Sequence, residues 1–398
     1  MNHYDFETVH PRYHLNAAKW REIADYFPEK PTDIIPFSVA DMELALAPQI
    51  RDGLKACLDR DVLGYADPSP EYLAAVCGFM RRRHAWEVSP DWITCTSGAI
   101  AAFYACVKTY TQPGDGVLLF TPVYYPMYSA VTANRRQLAE CPLLYQNGRY
   151  EIDFDRFEQL ARQPRNKLLL FCSPHNPGGR VWSRRELERL GEICCANGVV
   201  IASDELHFDL LAPGVQHTVL AALSPQIAAN CAVITSPSKS FNLAGLMTTN
   251  VIIPSPALRR AYQDQLYTGA QKLKCNMLGH LACTIAYTQC DDWLDQVNAL
   301  IHQNCRLVTE FLQAEFPRIK PMRLEGTYLL WIDFSALGLP PQTLARLLKR
   351  EGRLFFDDGY IFGRQGEGFE RWNLSCPTRY IQEGIARLRA VLCRYYKQ

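Results

Sequence analysis

Short apolar runs alternate with amphipathic stretches from about residue 92 onwards. Because Val, Ile and Leu occupy consecutive positions in these runs, the runs predict strands that are buried on both faces. Ser183 and Glu186 have the spacing of a capping box at the start of an intervening helix. The predicted strands are residues 116–120, 167–172, 198–202, 231–235 and 249–253. Strands that alternate with helices indicate an α/β fold with a mostly parallel (mixed) sheet covered by helices.

The two ends of the chain have a different pattern. Residues 256–316 predict helices almost throughout, and the first fifty residues lack the alternation of strands and helices. We therefore expect a large α/β domain formed by residues 50–285. Residues 1–49 and 286–398 are expected to form a smaller α+β domain built from both chain ends. In open α/β sheets, ligands bind beyond the carboxyl ends of the strands, so polar residues at those ends are the candidates for a site.

Composition and charge narrow the class of protein. The chain has 398 residues, of which 48% are hydrophobic, and 42 basic residues face 41 acidic ones for a formal net charge of +1. This balance provides no basic excess for a nucleic-acid interface. No apolar stretch reaches the length of a membrane span. We therefore expect a soluble globular protein, large enough for an enzyme, that binds neither nucleic acid nor membrane.

The fifteen cysteines form no C-x-x-C pair, which removes the spacing signature of zinc ribbons and thioredoxin-like sites. The first residues lack the basic and apolar regions of a secretion signal. Several cysteines, among them Cys106, Cys172, Cys231 and Cys283, lie in apolar runs, where a free thiol behaves as a small hydrophobic group. The pattern predicts reduced cysteines in a cytoplasmic protein and no metal site.

The residues at the predicted strand ends together match the requirements of one type of chemistry. Lys239, among small hydroxyl residues, could form a Schiff base if burial lowered its pKa. Asp204 could pair with a protonated ring nitrogen, and Tyr124 could stack on a flat ring. Ser97-Gly98 precedes a predicted helix whose free amides suit a phosphate. An imine lysine, a ring-nitrogen carboxylate, a stacking aromatic and a phosphate cradle are together what pyridoxal phosphate requires.

Each of these residues also has a simpler interpretation when taken singly. Lys239 could be an ordinary surface lysine. Asp204 and Glu205 could be a loop carboxylate pair, or could form a metal cluster with His207 and Asp209. The Ser-Gly step is a common helix cap, and the Asn-Pro-Gly-Gly run is typical of a turn. Their occurrence in this order, each after an apolar strand, favours the cofactor interpretation.

Several motifs carry a resemblance to a known family. They are residues 36–42 (PFSVADM), 63–65 (LGY), 203–207 (SDELH), 236–246 (SPSKSFNLAGL) and 371–377 (RWNLSCP). Across nearly its whole length the chain resembles fold-type I pyridoxal-phosphate enzymes of the aminotransferase class I/II superfamily. Within that superfamily it is most similar to the MalY/PatB-like cystathionine β-lyase (C–S lyase) branch.

The resemblance implies a role for each matching residue. Lys239 would hold the cofactor as a Schiff base and move the proton at the substrate Cα, with Tyr125 assisting proton transfer. Asp204 would keep the pyridine nitrogen protonated, and Arg371 would bind the substrate carboxylate with both guanidinium nitrogens. The other cofactor contacts would be Ala99, Ile100 and Ser236 at the phosphate, Tyr65 reaching the phosphate of the other subunit of a homodimer, Tyr124 on the ring, and Asn176 and His207 near the 3′-oxygen.

The implied reaction is β-elimination from cystathionine or a related cysteine S-conjugate, which releases thiol, pyruvate and ammonia. Met247 and His207 favour the lyase branch, since many aminotransferases carry Arg and Tyr at these positions. An aminotransferase that uses an L-amino acid and a 2-oxo acid remains the alternative, because it needs the same residues. Gly178, Thr378 and Arg21 depart from the family pattern where substrate side chains could be recognised, so the exact substrate stays open.

Two further classes of protein are alternative interpretations of the sequence. Ser236-x-x-Lys239 fits the Ser-x-x-Lys pattern of penicillin-binding enzymes, although Pro237 lies between the two residues and no Lys-Thr-Gly partner exists. A binding or regulatory protein that kept the fold without catalysis is the other possibility. The presence of Lys239, Asp204 and Arg371 together argues against it.

Overall fold

The computed structural model describes residues 4–10, 12–29, 32–268 and 275–396. The strands in these residues are β1 (Ile35–Pro36), β2 (Ile93–Thr96), β3 (Gly116–Thr121), β4 (Gln137–Pro142), β5 (Leu144–Gln146), β6 (Arg149–Glu151), β7 (Asn166–Cys172), β8 (Val200–Asp204), β9 (Cys231–Thr235), β10 (Thr249–Ile252), β11 (Lys320–Pro321), β12 (Leu329–Asp333), β13 (Leu354–Phe355), β14 (Asp357–Asp358) and β15 (Phe369–Asn373). The helices are α1 (Ala18–Tyr26), α2 (Pro48–Arg60), α3 (Pro70–His84), α4 (Ala99–Tyr110), α5 (Pro126–Thr132), α6 (Phe154–Ala161), α7 (Arg184–Ala196), α8 (Pro225–Ala229), α9 (Pro237–Ser240), α10 (Pro256–Thr268), α11 (Met277–Gln289), α12 (Asp291–Glu315), α13 (Pro341–Arg346) and α14 (Thr378–Tyr395).

A seven-stranded sheet in the order β2-β10-β9-β8-β7-β3-β4 forms the centre of the fold. Its strands run parallel from β9 to β4, and β10 is antiparallel to both of its neighbours. The predicted α/β class with a mostly parallel, mixed sheet is therefore confirmed. The five predicted strands correspond to β3, β7, β8, β9 and β10, whereas β2 and β4 were not predicted. β4 lies at a sheet edge, and its alternating exposure gives no continuous apolar run.

Side chains of successive residues in β3 enter two separate hydrophobic clusters. Leu118 and Phe120 pack on one face of the sheet, and Val117 and Leu119 pack on the other. Because both faces are covered by helices, each such side chain contributes about 1.5–3 kcal/mol on burial. Polar side chains of the sheet can therefore reach a ligand only beyond the ends of the strands.

A second sheet, in the order β11-β12-β15-β14, is antiparallel and lies in the last fifth of the chain. The N-terminal segment joins this region because Ile35 in β1 pairs with Leu354 in β13. The domain boundaries given above stay a prediction. Each helix of the described residues is too short or too polar to serve as a membrane span.

Candidate active site

A cavity of about 620 Å³ opens beyond the carboxyl ends of β7, β8 and β9. Its wall is made partly of apolar side chains, among them Phe103, Leu206 and Met247. Eight of the residues predicted from the sequence line it: Ala99, Ile100, Tyr124, Asn176, Asp204, His207, Ser236 and Lys239. The cavity therefore collects polar groups from strand ends that are far apart along the chain.

Lys239 lies on the short helix α9, directly after β9. Its Nζ donates a hydrogen bond to the backbone carbonyl oxygen of Ala40 at 2.6 Å, and the hydroxyl of Tyr328 donates to the same oxygen at 2.8 Å. Burial lowers the pKa of Lys239 to about 8, although the carboxylate of Asp41 opposes the shift. A larger share of the amine is therefore neutral near pH 7 than in an exposed lysine, which suits a nucleophile or a general base.

The backbone that presents the Ala40 carbonyl is held by side chains of the second sheet. The amide of Val39 donates to the Asp357 carboxylate at 3.0 Å. The side-chain amide of Asn373 donates to the carbonyl oxygens of Val39 and Asp41 at 2.7 and 2.8 Å. Val39 adopts a left-handed conformation with φ of 55°, which is strained for a β-branched residue. These contacts determine where the carbonyl that binds Lys239 lies.

Asp204 ends β8 and is 6% exposed. Its carboxylate accepts a hydrogen bond from the amide of Leu206 at 3.3 Å, and the thiol of Cys172 lies 3.9 Å from its Oδ2. Burial raises the pKa of Asp204 to about 7, against the opposing effects of the Leu206 amide and the Lys239 charge. A buried carboxylate with so few donors is stabilised by a cationic partner that enters the cavity.

His207 lies on the same wall of the cavity and is buried. Within the described residues its Nδ1 finds no hydrogen-bond partner. Burial lowers the pKa of His207 well below its ordinary value, and the charges of Lys239 and Arg371 lower it further. His207 is therefore a neutral imidazole on the wall of the cavity.

Arg371 is on β15 and is 2% exposed. Its Nη1 donates to the side-chain oxygen of Asn176 at 2.7 Å, and its Nε donates to Asp357 at 3.1 Å. The guanidinium carbon lies 4.7 Å from the centre of the Phe362 ring. Sequence reasoning missed Asp357, because its position opposite Arg371 follows only from the pairing of β14 with β15. Arg371 itself does not line the cavity but reaches it through Asn176.

The start of α4 forms one end of the cavity. Gly98 precedes the helix with φ of 89°, and a Cβ at this position would lie 3.1 Å from Cε of Met247. The first amides of a helix have no acceptors within the helix, so Ala99 and Ile100 present free donors and the positive end of the helix dipole. The hydroxyl of Ser236, by contrast, donates to the Thr248 carbonyl at 2.5 Å. An anion would have to compete for that hydroxyl.

Two of the predicted tyrosines lie outside the cavity. Tyr125 is 41% exposed, and its ring lies 5.4 Å from that of Tyr124 and 6.0 Å from that of Phe362. It therefore lies beside the cavity, next to the aromatic ring that packs on Arg371. Tyr65 is fully exposed and does not line the cavity of this chain.

The metal interpretation of the carboxylates near Asp204 does not match the structure. Glu205 accepts hydrogen bonds from Ser203 and His217, and Asp209 contacts His84 and the hydroxyl of Ser240. Across the described ranges, these carboxylates do not converge with Asp204 and His207 on a common point.

Comparison with known proteins gives matches over nearly the whole chain. A model of the family described as aminotransferase class I and II matches residues 32–388. The cystathionine beta-lyase PatB of Bacillus subtilis (strain 168) is 37% identical over 98% of this chain and 100% of its own length. Protein MalY of Escherichia coli (strain K12) is 29% identical over 97% of this chain and 98% of its own length.

Solved structures agree with these relatives. A crystal structure of cystalysin from Treponema denticola, which contains a pyridoxal 5′-phosphate cofactor, superimposes with a TM-score of 0.96 at 41% identity. The match covers 99% of this chain and 100% of that chain. The resemblance inferred from the sequence motifs is therefore confirmed.

Proposed function

The chain belongs to the aminotransferase class I and II family, and from this premise we propose that it is a pyridoxal-phosphate-dependent carbon–sulfur β-lyase. Its substrates are cystathionine, which the name of the relative PatB indicates for that protein, or related cysteine S-conjugates. The observation that carries the proposal is one cavity that holds a lysine with a pKa of about 8 and a buried carboxylate with a pKa of about 7.

The residues present fit pyridoxal phosphate. The buried Asp204 carboxylate faces the cavity with the Leu206 amide and the Cys172 thiol as neighbours, so a protonated pyridine nitrogen can provide its cationic partner. The neutral imidazole of His207 lines the same cavity. The first amides of α4 suit a phosphate. When bound, the cofactor supplies an aldehyde that condenses with amines and a ring that withdraws electrons from the substrate α-carbon.

The side chains of this protein then have distinct tasks. Arg371 binds the substrate carboxylate and thereby orients the α-carbon, while Asn176 and Asp357 hold the guanidinium. Lys239, released from the Ala40 carbonyl, accepts the α-proton as a general base, which its lowered pKa favours. Asp204 stabilises positive charge on the ring nitrogen.

Elimination breaks the bond between the β-carbon and sulfur, and the thiolate leaves with the electron pair. Tyr125, beside the cavity, is the proposed donor of the proton that this thiolate takes up. Hydrolysis of the remaining three-carbon fragment gives pyruvate and ammonia. One substrate molecule and one water thus yield one thiol, one pyruvate and one ammonia.

Purified enzyme supplied with pyridoxal phosphate and L-cystathionine tests the reaction type. We expect pyruvate and thiol in equal amounts with no 2-oxo acid present. If product formed only when a 2-oxo acid was added, and the amino group was recovered on that acid, the enzyme would be an aminotransferase and the lyase proposal would be wrong. A panel of cysteine S-conjugates then compares the substrates by kcat/KM.

We further propose a homodimer with shared active sites in the cytoplasm. The segment of residues 61–65 carries exposed apolar side chains: Val62 is 89% exposed, Leu63 is 58% exposed, and Tyr65 is fully exposed. A second copy of the chain would cover this surface, with Tyr65 reaching the phosphate in its partner.

Mixing inactive variants tests the shared site. In heterodimers of Tyr65→Ala and Lys239→Ala, one site inherits both changes and the other inherits neither. We expect activity to return after the two variants are unfolded and refolded together. No gain over the separately refolded variants, or a monomeric mass by sedimentation, would contradict the shared dimer.

A further inference from the structure

Three potential metal ligands lie close together near Thr96, shortly before the start of α4. They are Cys95 on β2, Cys275 just before α11, and His280 in the first turn of α11. The sulfur atoms of the cysteines and an imidazole nitrogen all lie within 4.8 Å of one another. In the part of the chain that the structure describes, no other three or more Cys, His, Asp or Glu residues converge in this way.

The surroundings of these residues are polar and incompletely hydrogen-bonded. His280 is 7% exposed, and its Nε2 has no hydrogen-bond partner among the described residues. The side-chain nitrogen of Asn250, which is fully buried, likewise lacks a partner within those residues. The Cys95 sulfur lies 3.5 Å from the Tyr72 hydroxyl and 3.9 Å from the Asn250 side-chain oxygen. A bound cation would give the His280 nitrogen a partner, whereas the Asn250 nitrogen is a donor that needs an acceptor such as a water molecule.

Another buried cysteine shows that this environment is unusual. Cys106, for example, is fully buried in the apolar cluster that contains Val107 and Leu119. A thiol in such surroundings fills space. Cys95 and Cys275 instead face an imidazole, a phenol and an amide, and the thiol of Cys275 donates to the Thr96 carbonyl at 3.0 Å.

We propose that Cys95, Cys275 and His280 form a binding site for a thiophilic divalent cation of the Zn²⁺ class. Two thiolates and one imidazole are ligands that zinc prefers, and the ligand atoms of a tetrahedral site lie roughly 3.8 Å or less apart. The observed limit of 4.8 Å allows closure by small side-chain rotations. The Asn250 oxygen or a water fills the fourth position. Binding one cation releases the two thiol protons to solvent.

The sequence pattern predicts no metal site, and this proposal differs from that prediction. Cys95 and Cys275 are separated by 180 residues, so no short motif marks them. They meet because Cys275 donates a hydrogen bond to the carbonyl of Thr96, the residue after Cys95, while β10 places Asn250 opposite Cys95. The start of α11 then packs against this corner of the sheet.

The position of the site defines its role. Thr96, which accepts the Cys275 hydrogen bond, lies two residues before Gly98 and the start of α4. A cation would connect β2 to α11 a few residues before the amides proposed to bind the phosphate. It would stabilise this corner of the fold without touching the substrate, so it is a structural site.

Metal binding to the holoenzyme tests the proposal. Chelator-treated holoenzyme, kept reduced, is titrated with Zn²⁺ against a chromophoric competitor, and the metal content is measured after gel filtration. We expect one equivalent of Zn²⁺ per chain and a higher unfolding temperature in the zinc-loaded enzyme. Cd²⁺ should give the ultraviolet charge-transfer absorption of two bound thiolates.

Variants distinguish this site from adventitious binding. Cys275→Ser and His280→Gln should each weaken Zn²⁺ binding roughly 100-fold or more and remove the stabilisation by zinc. Cys106→Ser, which changes a buried thiol in apolar surroundings, should bind zinc like the wild type. Zinc binding that survives in Cys275→Ser, a stoichiometry near zero, or a Cys95–Cys275 disulfide in the isolated enzyme would each overturn the proposal. Because the readout is bound metal, its outcome is independent of the lyase assay.

Discussion

The consecutive carboxylates Asp204 and Glu205 show how two faces of one strand end differ. Glu205, fully buried, accepts hydrogen bonds from the Ser203 hydroxyl at 2.8 Å, from His217 at 2.7 Å and from the Leu220 amide at 3.1 Å. Asp204 has a single backbone donor at 3.3 Å and faces the cavity. The protein thus supplies the hydrogen-bond donors for the Glu205 carboxylate, whereas the Asp204 carboxylate is left to a ligand.

A second carboxylate that the protein itself hydrogen-bonds lies close to Lys239. Asp209 contacts His84 at 2.7 Å and the hydroxyl of Ser240, the residue that follows Lys239. We call Glu205, His217, Asp209 and His84 the backing network. Its members are as polar as the cavity wall, and each of its two carboxylates is hydrogen-bonded to a histidine and a hydroxyl, whereas Nδ1 of His217 has no partner among the described residues. A ligand site is therefore indicated by a buried carboxylate that has few donors and also lines a cavity, and not by the density of polar groups.

The largest expected effect comes from removing the amine that faces the cavity. Lys239→Ala should lower kcat for pyruvate release about 10⁴-fold, because Lys239 is the one amine that the described residues contribute to the cavity wall. Lys167→Ala, which removes an exposed lysine from β7, is the matched control and should retain full activity. Retention of even one part in a hundred of the wild-type rate by Lys239→Ala would assign the base to another group.

The neighbouring carboxylates give the most direct test of the comparison. Asp204→Asn should lower kcat roughly 10³-fold, because the ring nitrogen loses its charge partner, while the fold is kept. Glu205→Gln should lower the free energy of unfolding by about 3 kcal/mol, since it breaks a buried pair with His217, and should leave kcat of the folded enzyme within about threefold. Kinetics and urea unfolding of both variants measure the contrast. Equal losses of kcat would remove the distinction between the two faces.

A smaller effect is expected where the second sheet holds the substrate-binding arginine. Asp357→Asn should raise KM roughly tenfold and change kcat less, because Arg371 keeps its contact with Asn176 but loses the charge that orients it. Asp358→Asn is the control, since Asp358 pairs with Lys349 away from the arginine. A fall in kcat with KM unchanged would place Asp357 in the chemical step instead.

The smallest effect concerns stability against pH in the cofactor-free protein. The folded-state pKa of Asp204, about 7, lies above its ordinary value of 3.8. Between these values the folded state holds more protons than the unfolded state, so this residue lowers stability as pH rises from about 4 to 7. Thermal unfolding should show a drop of a few degrees over this range that is reduced in Asp204→Asn. An unchanged drop in that variant would assign it to other groups.

The sequence could predict elements whose signal is local. β9 has the bounds predicted for it, and the capping box of Ser183 and Glu186 is present at the start of α7. β8 begins two residues later than predicted, because Gly198 has a positive φ of 66° and belongs to the turn before the strand. Candidate residues at the ends of apolar strands were likewise visible in the sequence, and eight predicted site residues, six of them polar, line one cavity.

The contacts that depend on pairing across the chain could not be predicted. Asp357 reaches Arg371 through the register of β14 and β15, and Cys275 reaches Cys95 from outside the sheet, through its contact with the Thr96 carbonyl. The acceptor for Lys239 is a backbone carbonyl. Every residue type carries this group, so no residue type in the sequence indicates it. Tyr65 and Tyr125 stay predictions, since neither lines the cavity of the single chain.

That backbone acceptor has a consequence for mutational robustness. Any amino acid at position 40 supplies the same carbonyl, so substitution there cannot delete the atom that holds the Lys239 amine. The vulnerable positions are Asp357 and Asn373, whose side chains hold the backbone on either side of it. Substitutions that weaken the hydrogen bond of Lys239 are therefore expected at residues more than a hundred positions from the lysine in the sequence, which do not contact it.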